Sequence, residues 1–426
     1  MIKNFNTFDK TGFIKYLKNA GWHFVARISI LFVAFFTTIY AIRYLGPENY
    51  GTLSYAVSFI SLFSFVASLG IDQIVLRELI KRPEDEAKIM GSALSLKLIG
   101  GTLAIALTAL AGILIEATAI ELFLILLLSL THYLGVSQLA NYAFQARVES
   151  KYPALISIVV SLLLAAAKLL IIFFDKGIIY FALVLLLEVV LYALFYFITY
   201  EWRYHRLRSW HFDKATALAL FQTSWPLMLS TVSIVIYSRI DQVMLRHYID
   251  TTAVGIYDAA VRLSDVWYII PNIILGALFP AIINAQRSSP TLFRKRIRLC
   301  AALLLGLNLL IIIPTNLLAP HIIELLFGAA FAGSAGVLSI YIWSLIGFSL
   351  GQLINTYLIA ENYIYIYLYS SVATVLVNIG LNILLIPQYG VNGAAVATLV
   401  SYSLIPILPF GFKKIRVQLL ALNFSK

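Results

Sequence analysis

PALISIVVSLLLAAAKLLIIFFDKGIIYFALVLLLEVVLYALFYFIT (153–199) consists of two apolar runs separated by one short polar turn, Asp175-Lys176-Gly177. A bilayer core about 30 Å thick is spanned by roughly 20 apolar helical residues, and each run has that length. Strands of a membrane barrel would alternate with a period of two over about ten residues. Neither run alternates, so the stretch reads as a helical hairpin that crosses a membrane twice.

The rest of the chain repeats that pattern. Twelve apolar segments are expected, at 19–43, 51–71, 90–115, 119–144, 153–174, 178–200, 217–246, 253–284, 297–319, 334–359, 364–386 and 391–412. Hydrophobic residues make up 61% of the 426 and charged ones 12%, against roughly 45–50% and about 25% in soluble domains. Mean hydropathy is +0.90. So few charges cannot cover so much apolar surface in water, and the fold class is an all-α integral membrane protein. The opening MIKNFNTFDKTGFIKYLKN (1–19) is too polar to begin a cleaved signal peptide, so the first apolar segment is expected to remain as a helix.

With twelve spans both termini share a side, and the basic residues assign it. The two tails and the loops after even-numbered helices carry 23 of the 31 Lys and Arg, including RELIKRPEDEAK (77–88), EWRYHRLRSW (201–210) and RKRIRL (294–299). The positive-inside rule then makes both termini cytoplasmic. Basic runs beside helix ends set topology and touch anionic lipid head groups, so membrane lipids are expected partners and nucleic acid is not. No GxxxxGK[ST] phosphate loop occurs and no loop is long enough for a catalytic domain, which excludes a built-in ATP motor and argues against an enzyme. One cysteine, Cys300, excludes an internal disulfide and a cysteine metal site, and the six histidines show no HxxxH spacing. No cofactor is expected.

At an offset of 204 the chain matches itself: RYLGPENYGTLSYAV (43–57) falls on HYIDTTAVGIYDAAV (247–261), aligning Tyr44 with Tyr248, Gly51 with Gly255, Ala56 with Ala260 and Val57 with Val261. Both copies are an outer turn between the first two helices of a half. The expectation is two pseudo-symmetric six-helix bundles, 1–200 and 217–426, joined by a basic cytoplasmic linker, 201–216, with their symmetry axis along the membrane normal. Proline inside spans is confined to the second bundle (Pro226, Pro271, Pro314, Pro406, Pro409), as static kinks or as bending points during transport.

Ionisable residues inside a membrane are penalised by roughly 2.5–3.5 kcal/mol and point to function. Here they are Arg27, Lys97, Lys168 and Arg262, with the acids Glu188, Asp258 and Asp265, and Asp241 near the end of its helix. The first bundle holds three of the bases and only Glu188 as a deep acid, an excess of positive charge that suits an anionic ligand such as a pyrophosphate. Each charge also has a structural reading. Arg262 has Asp258 at i−4 and Asp265 at i+3. Lys168 and Glu188 lie about 9 and about 15 Å below their turn and can pair. Arg27 and Lys97 can snorkel.

The outer turn RYLGPENYGTLSY (43–55), LGIDQIVLREL (69–79), SRIDQVMLRHYIDTTAVGIYDAAVRLSD (238–265) and VNIGLNILLIPQYGVNGAAVAT (377–398) resemble the Wzx-type polysaccharide-transporter family, the O-antigen and capsule flippases of the multidrug/oligosaccharidyl-lipid/polysaccharide superfamily. The resemblance implies passage of an undecaprenyl-pyrophosphate-linked oligosaccharide across a bacterial inner membrane by alternating access, in polysaccharide or lipopolysaccharide biosynthesis beside polymerase and assembly proteins. Its implied alternative is a cation-coupled multidrug exporter of the same fold, which the lack of an acid on the first helix disfavours. By helix, Arg27 matches a functional arginine of the related lipid II flippases; by the local pattern AAVRL, Arg262 matches a second. Arg27, Lys97, Lys168 and Arg262 are therefore the expected pyrophosphate ligands, and Glu188, Asp258 and Asp265 the expected ion-coupling acids.

Overall fold

A computed structural model describes residues 10–361 and 363–412, and the described residues contain helices and turns but no strand. Nine helical stretches among them are long and apolar enough to cross a membrane. Two of the nine, Ser29–Ser61 and Tyr365–Leu404, are each a pair of expected spans joined across a kink. The helix Lys214–Tyr248, with Lys214, Arg239, Asp241 and Arg246 along it, is long enough but is not among the nine.

The two kinks have the same cause. Gly46 lies at φ 71° and ψ 171° inside Lys10–Ser61, and Gly390 at φ 58° and ψ −137° inside Ile364–Leu404. Positive φ is open to glycine without a Cβ clash. Pro47 directly after Gly46 cannot donate to the preceding turn but starts a new one readily. LGPENYG is thus a stop and a start on consecutive residues.

Four spans expected to be continuous are broken instead, 51–71 among them, where the helix ends at Ser61 and resumes as Ser64–Ser68. The 119–144 span becomes Ala119–Ser129 and Leu134–Ala146 around a 3₁₀ turn, 253–284 becomes Thr251–Asp265 and Ile269–Ser288, and 334–359 becomes Ser334–Tyr341 and Ser344–Ala360. Hydroxyls compete for backbone carbonyls at two of the breaks. Thr131 Oγ1 donates to the Leu128 carbonyl at 2.6 Å and Ser344 Oγ to that of Tyr341 at 2.5 Å. Such bonds offer the chain an alternative to the helix ladder.

By density of contacts the chain forms two compact units, Met1–Tyr44 with Phe59–Val232, and Leu45–Ser58 with Ser233–Lys426. The division falls inside the helix Lys214–Tyr248 and places 201–216 within the first unit, whereas the sequence reading has those residues as a separate linker.

The first unit has its core around Ile89, Met90, Phe144, Val160 and Tyr200. At its basic end, Glu86 is buried and accepts from Arg147 at 2.5 Å, Tyr200 at 3.0 Å and Arg206 at 3.1 Å. Arg147 and Arg206 are thus both held by one buried carboxylate. The segment after Tyr204 packs on the same helix: Ser92 Oγ and the Asp213 backbone exchange hydrogen bonds at 3.0 Å, and a Cβ on Gly91 would stand 2.2 Å from the His211 carbonyl oxygen.

In the second unit the core centres on Leu275, Ile282, Cys300, Leu304 and Leu358, and Cys300 is a buried free thiol. Segment 45–58 crosses Thr251–Asp265 at the two glycines that the internal repeat aligns. A Cβ on Gly51 would lie 1.7 Å from the Thr251 carbonyl oxygen, and one on Gly255 2.0 Å from that of Pro47. Small residues are what allow two membrane helices to approach backbone to backbone. Leucines such as Leu114, Leu317 and Leu325 are more than 70% exposed, as side chains that meet lipid would be.

Candidate functional site

Three buried polar centres hold Lys97, the pair Asp258 and Arg262, and Asp241, the first in the first unit and the other two in the second. In the first unit Lys97 is 2% exposed and its Nζ lies 2.5 Å from Asp72 Oδ1. Lys97 therefore does not snorkel to a membrane face. Asp72 also takes a hydrogen bond from Tyr142. A cavity of about 240 Å³ opens beside the pair, lined by Ser64, Ser68, Thr131, His132, Gly135 and Gln138. Gly135 makes room for the lysine, since a Cβ there would sit 3.0 Å from Nζ. The expected excess of positive charge in the first bundle is smaller than the spans alone suggest, because Asp72, at a helix start, reaches Lys97.

Lys168 and Glu188 are a separate pair of the same unit. Both are half-buried and each feels the other's charge, in line with the depth argument. The side chain of Arg27 lies outside the described residues.

The repeat crossing builds the second centre. Asp258 is buried and accepts from the Tyr50 hydroxyl, from Ser54 Oγ at 2.8 Å, from Arg262 Nε at 2.8 Å and from Gln242 Nε2 at 3.4 Å. Ser54 and Asp258 are aligned by the repeat, so the two copies meet at equivalent positions. Arg262 is 41% exposed although Asp258 is 1% exposed. Its guanidinium also lies 5.8 Å from the Tyr50 ring centroid. Asp265 is exposed and within electrostatic reach of Arg239 and Arg262. The arrangement is a buried carboxylate that fixes an arginine whose outer edge remains open to solvent. A planar guanidinium held this way can take a phosphate in bidentate fashion.

The third centre surrounds Asp241, which is 4% exposed. It accepts from Tyr257 at 2.6 Å, from Asn382 Nδ2 at 2.6 Å and from Thr398 Oγ1. Asn382 donates also to Asn378 Oδ1 at 3.2 Å. Asn382 Oδ1 is buried without a hydrogen-bond partner among the described residues. A carboxylate together with amide and hydroxyl oxygens is the hard donor set that alkali and alkaline-earth cations take.

Of the residues singled out from the sequence, Arg262 and Asp258 are in direct contact, Asp265 lies within electrostatic reach of Arg262, and Asp241 has no role assigned. The sequence reading misses Asp72, Tyr50, Ser54, Tyr257, Asn382 and Thr398. A signal for the two missed carboxylate centres exists: IDQIVLR (71–77) and IDQVMLR (240–246) share five of seven residues, and each aspartate is the acceptor of its cluster.

The family described as "Polysaccharide biosynthesis protein" matches residues 16–286, more than half of the chain. The chain belongs to that family. "Probable flippase AglR" of Haloferax volcanii is 27% identical over 202 residues, covering 46% of this chain and 42% of the relative. The match thus spans less than half the length of that relative. Two solved structures show the fold. An inward-facing multidrug resistance MATE family transporter of the MOP superfamily superposes with a TM-score of 0.75 at 16% identity, covering 94% of this chain and 99% of the other. The lipid II flippase MurJ in an inward closed conformation gives 0.68 at 14% identity, with 96% and 94% covered. The family member described here is accordingly a multi-pass membrane protein with the all-α fold of that superfamily, as the sequence reading expects.

Proposed function

We propose that the protein is a flippase that carries a lipid-linked oligosaccharide across the cytoplasmic membrane by alternating access. The observation that carries this reading is Arg262, a half-exposed guanidinium inside the span Thr251–Leu278, in a chain of the polysaccharide biosynthesis family. Moving a charged phosphate and several sugars through hydrocarbon unaided is prohibitive. A fixed cation in a wet path removes most of that barrier, while the prenyl tail stays in lipid. The finer form of the proposal is an undecaprenyl-pyrophosphate carrier of O-antigen or capsule type in a bacterial inner membrane, with both termini cytoplasmic and polymerase and assembly proteins as neighbours. The relative reported above is archaeal, and the prenyl lipid that accumulates on depletion tests this finer form.

Arg27, Lys97, Lys168 and Arg262 are the proposed phosphate ligands, with Arg262 offering its open edge while Asp258 holds the other. An ion gradient supplies the energy. Glu188, Asp258 and Asp265 are the proposed coupling acids, and the Asp241 centre, where Asn382 Oδ1 has no hydrogen-bond partner among the described residues, supports a cation site beside them. When one site competes with the other for the same carboxylate, the two cargoes share a coupling free energy.

A cation-coupled exporter of the same fold is the alternative. Depleting the protein distinguishes the two. A flippase's loss accumulates the lipid-linked unit on the inner leaflet and removes the surface polymer; an exporter's loss alters drug sensitivity and leaves the polymer in place. An unchanged lipid-linked pool would overturn the flippase reading.

A further inference from the structure

Two of the broken helices of the second unit meet at their breaks. Tyr268, beside the gap between Thr251–Asp265 and Ile269–Ser288, exchanges a 2.6 Å hydrogen bond with Ser344 Oγ, the first residue of Ser344–Ala360. The Tyr268 ring stacks on Phe348, with centroids 4.5 Å apart and planes 19° apart, and Tyr402 closes the cluster at 6.2 Å. Around this stack lie polar side chains that belong to spans. Asp265 and Asn272 are exposed, on the span Thr251–Leu278. Gln352, on the span Ser334–Leu358, donates to Asn272 Oδ1 at 3.2 Å, and Asn272 donates to the Tyr268 carbonyl at 3.0 Å. Asn355 continues the row with a 3.5 Å hydrogen bond to Gln352 Oε1.

An exposed carboxylate at mid-span, as Asp265 is, is not tolerated against lipid, so the stripe beside it faces water. Interrupted membrane helices are likewise kept where irregular backbone lines a wet path. An aromatic plate edged by a carboxylate and two primary amides matches the chemistry of a sugar ring. Its C–H face packs on the aromatics, and its hydroxyls need paired donors and acceptors. Phosphate, by contrast, has no use for amide oxygens or a carboxylate.

We propose that Asp265, Asn272 and Gln352, with the Tyr268–Phe348 stack, form a saccharide subsite that reads the glycan of the cargo, distinct from the cationic groups that take its phosphate. The proposal rests on the flippase reading above and adds the part of the cargo that this face recognises.

The test uses full-length protein reconstituted in vesicles, with two cargoes: the lipid-linked glycan pool extracted from cells depleted of the protein, and the same pool trimmed enzymatically to one sugar. Movement is read as the fraction reached by an impermeant lectin. For Asn272→Ala and Gln352→Ala the ratio of full to trimmed cargo moved is expected to fall about tenfold below wild type, as for loss of hydrogen bonds to a bound hydroxyl. Phe348→Leu, which changes the plate and none of the amides, is expected to lower the ratio in the same direction. Wild-type-like ratios in all three variants overturn the subsite while leaving the flippase reading intact. Failure of the wild type to move either cargo overturns both.

Discussion

Asp258 and Arg262 form an ion pair whose two members differ greatly in exposure, and that difference decides how each responds to substitution. Removing the arginine strands a fully buried carboxylate, which costs about 3–5 kcal/mol. Removing both charges leaves Tyr50, Ser54 and Gln242 around a neutral amide. We therefore expect Arg262→Ala to lower the thermal midpoint in detergent strongly and Asp258→Asn with Arg262→Ala to recover most of it. The double variant should still fail to move lipid-linked glycan. If it transports normally, Arg262 serves only its own helix. Asp241 gives a second test. Sodium should raise the thermal midpoint of the wild type by mass action on a folded-state site, and Asp241→Asn should abolish the rise. A rise of equal size in the variant would rule out cation binding at that centre.

The helices of the second unit rest on a crossing that only glycine permits. The obstacles at Gly51 and Gly255 are backbone atoms, which cannot swing aside. Gly51→Ala and Gly255→Ala are each expected to cost about 3 kcal/mol or more, read as loss of monodisperse protein on size exclusion. Gly276→Ala, with nothing within 4 Å of the added methyl, should behave as wild type. The repeat alignment picks out both glycines from the sequence but does not say that they touch each other. Likewise the apolar runs at 253–284 and 334–359 predict spans, yet nothing in their hydropathy shows the breaks beside Tyr268 and Ser344. A hydroxyl bonded to its own backbone contributes to composition as any serine does.

The asymmetry of the basic residues predicts the sidedness of the loops. Reporter fusions at Ser209 and Ser289 are expected to act on the cytoplasmic side and those at Gly177 and Ala330 on the opposite side. Reversal of either pair would sink the twelve-span assignment. The contact between the basic segment 205–213 and the start of the helix Glu86–Leu114 adds a structural requirement to that topology. Glu86→Gln should weaken the hold on Arg147 and Arg206 and lower stability by about 1.5–3 kcal/mol, without reversing sidedness, because the positive charges remain. Inverted fusions in Glu86→Gln would show that the carboxylate, rather than the basic residues, sets orientation.

Hydropathy, basic-residue asymmetry and the 204-residue offset determined that this protein is an all-α membrane protein with an internal repeat, because solvation by lipid acts on every residue independently of its neighbours in space. The same local logic found Arg262 with Asp258, since i and i+4 share a helix face. Only the tertiary structure decided that Asp72 neutralises Lys97, that Tyr50 and Ser54 reach Asp258 across the repeat, and that Asp241 gathers Tyr257, Asn382 and Thr398. Those partners lie between 16 and 208 residues apart along the chain. A buried charge is compensated by whichever groups packing brings within hydrogen-bond reach, and that reach is a property of the folded chain, not of spacing along it.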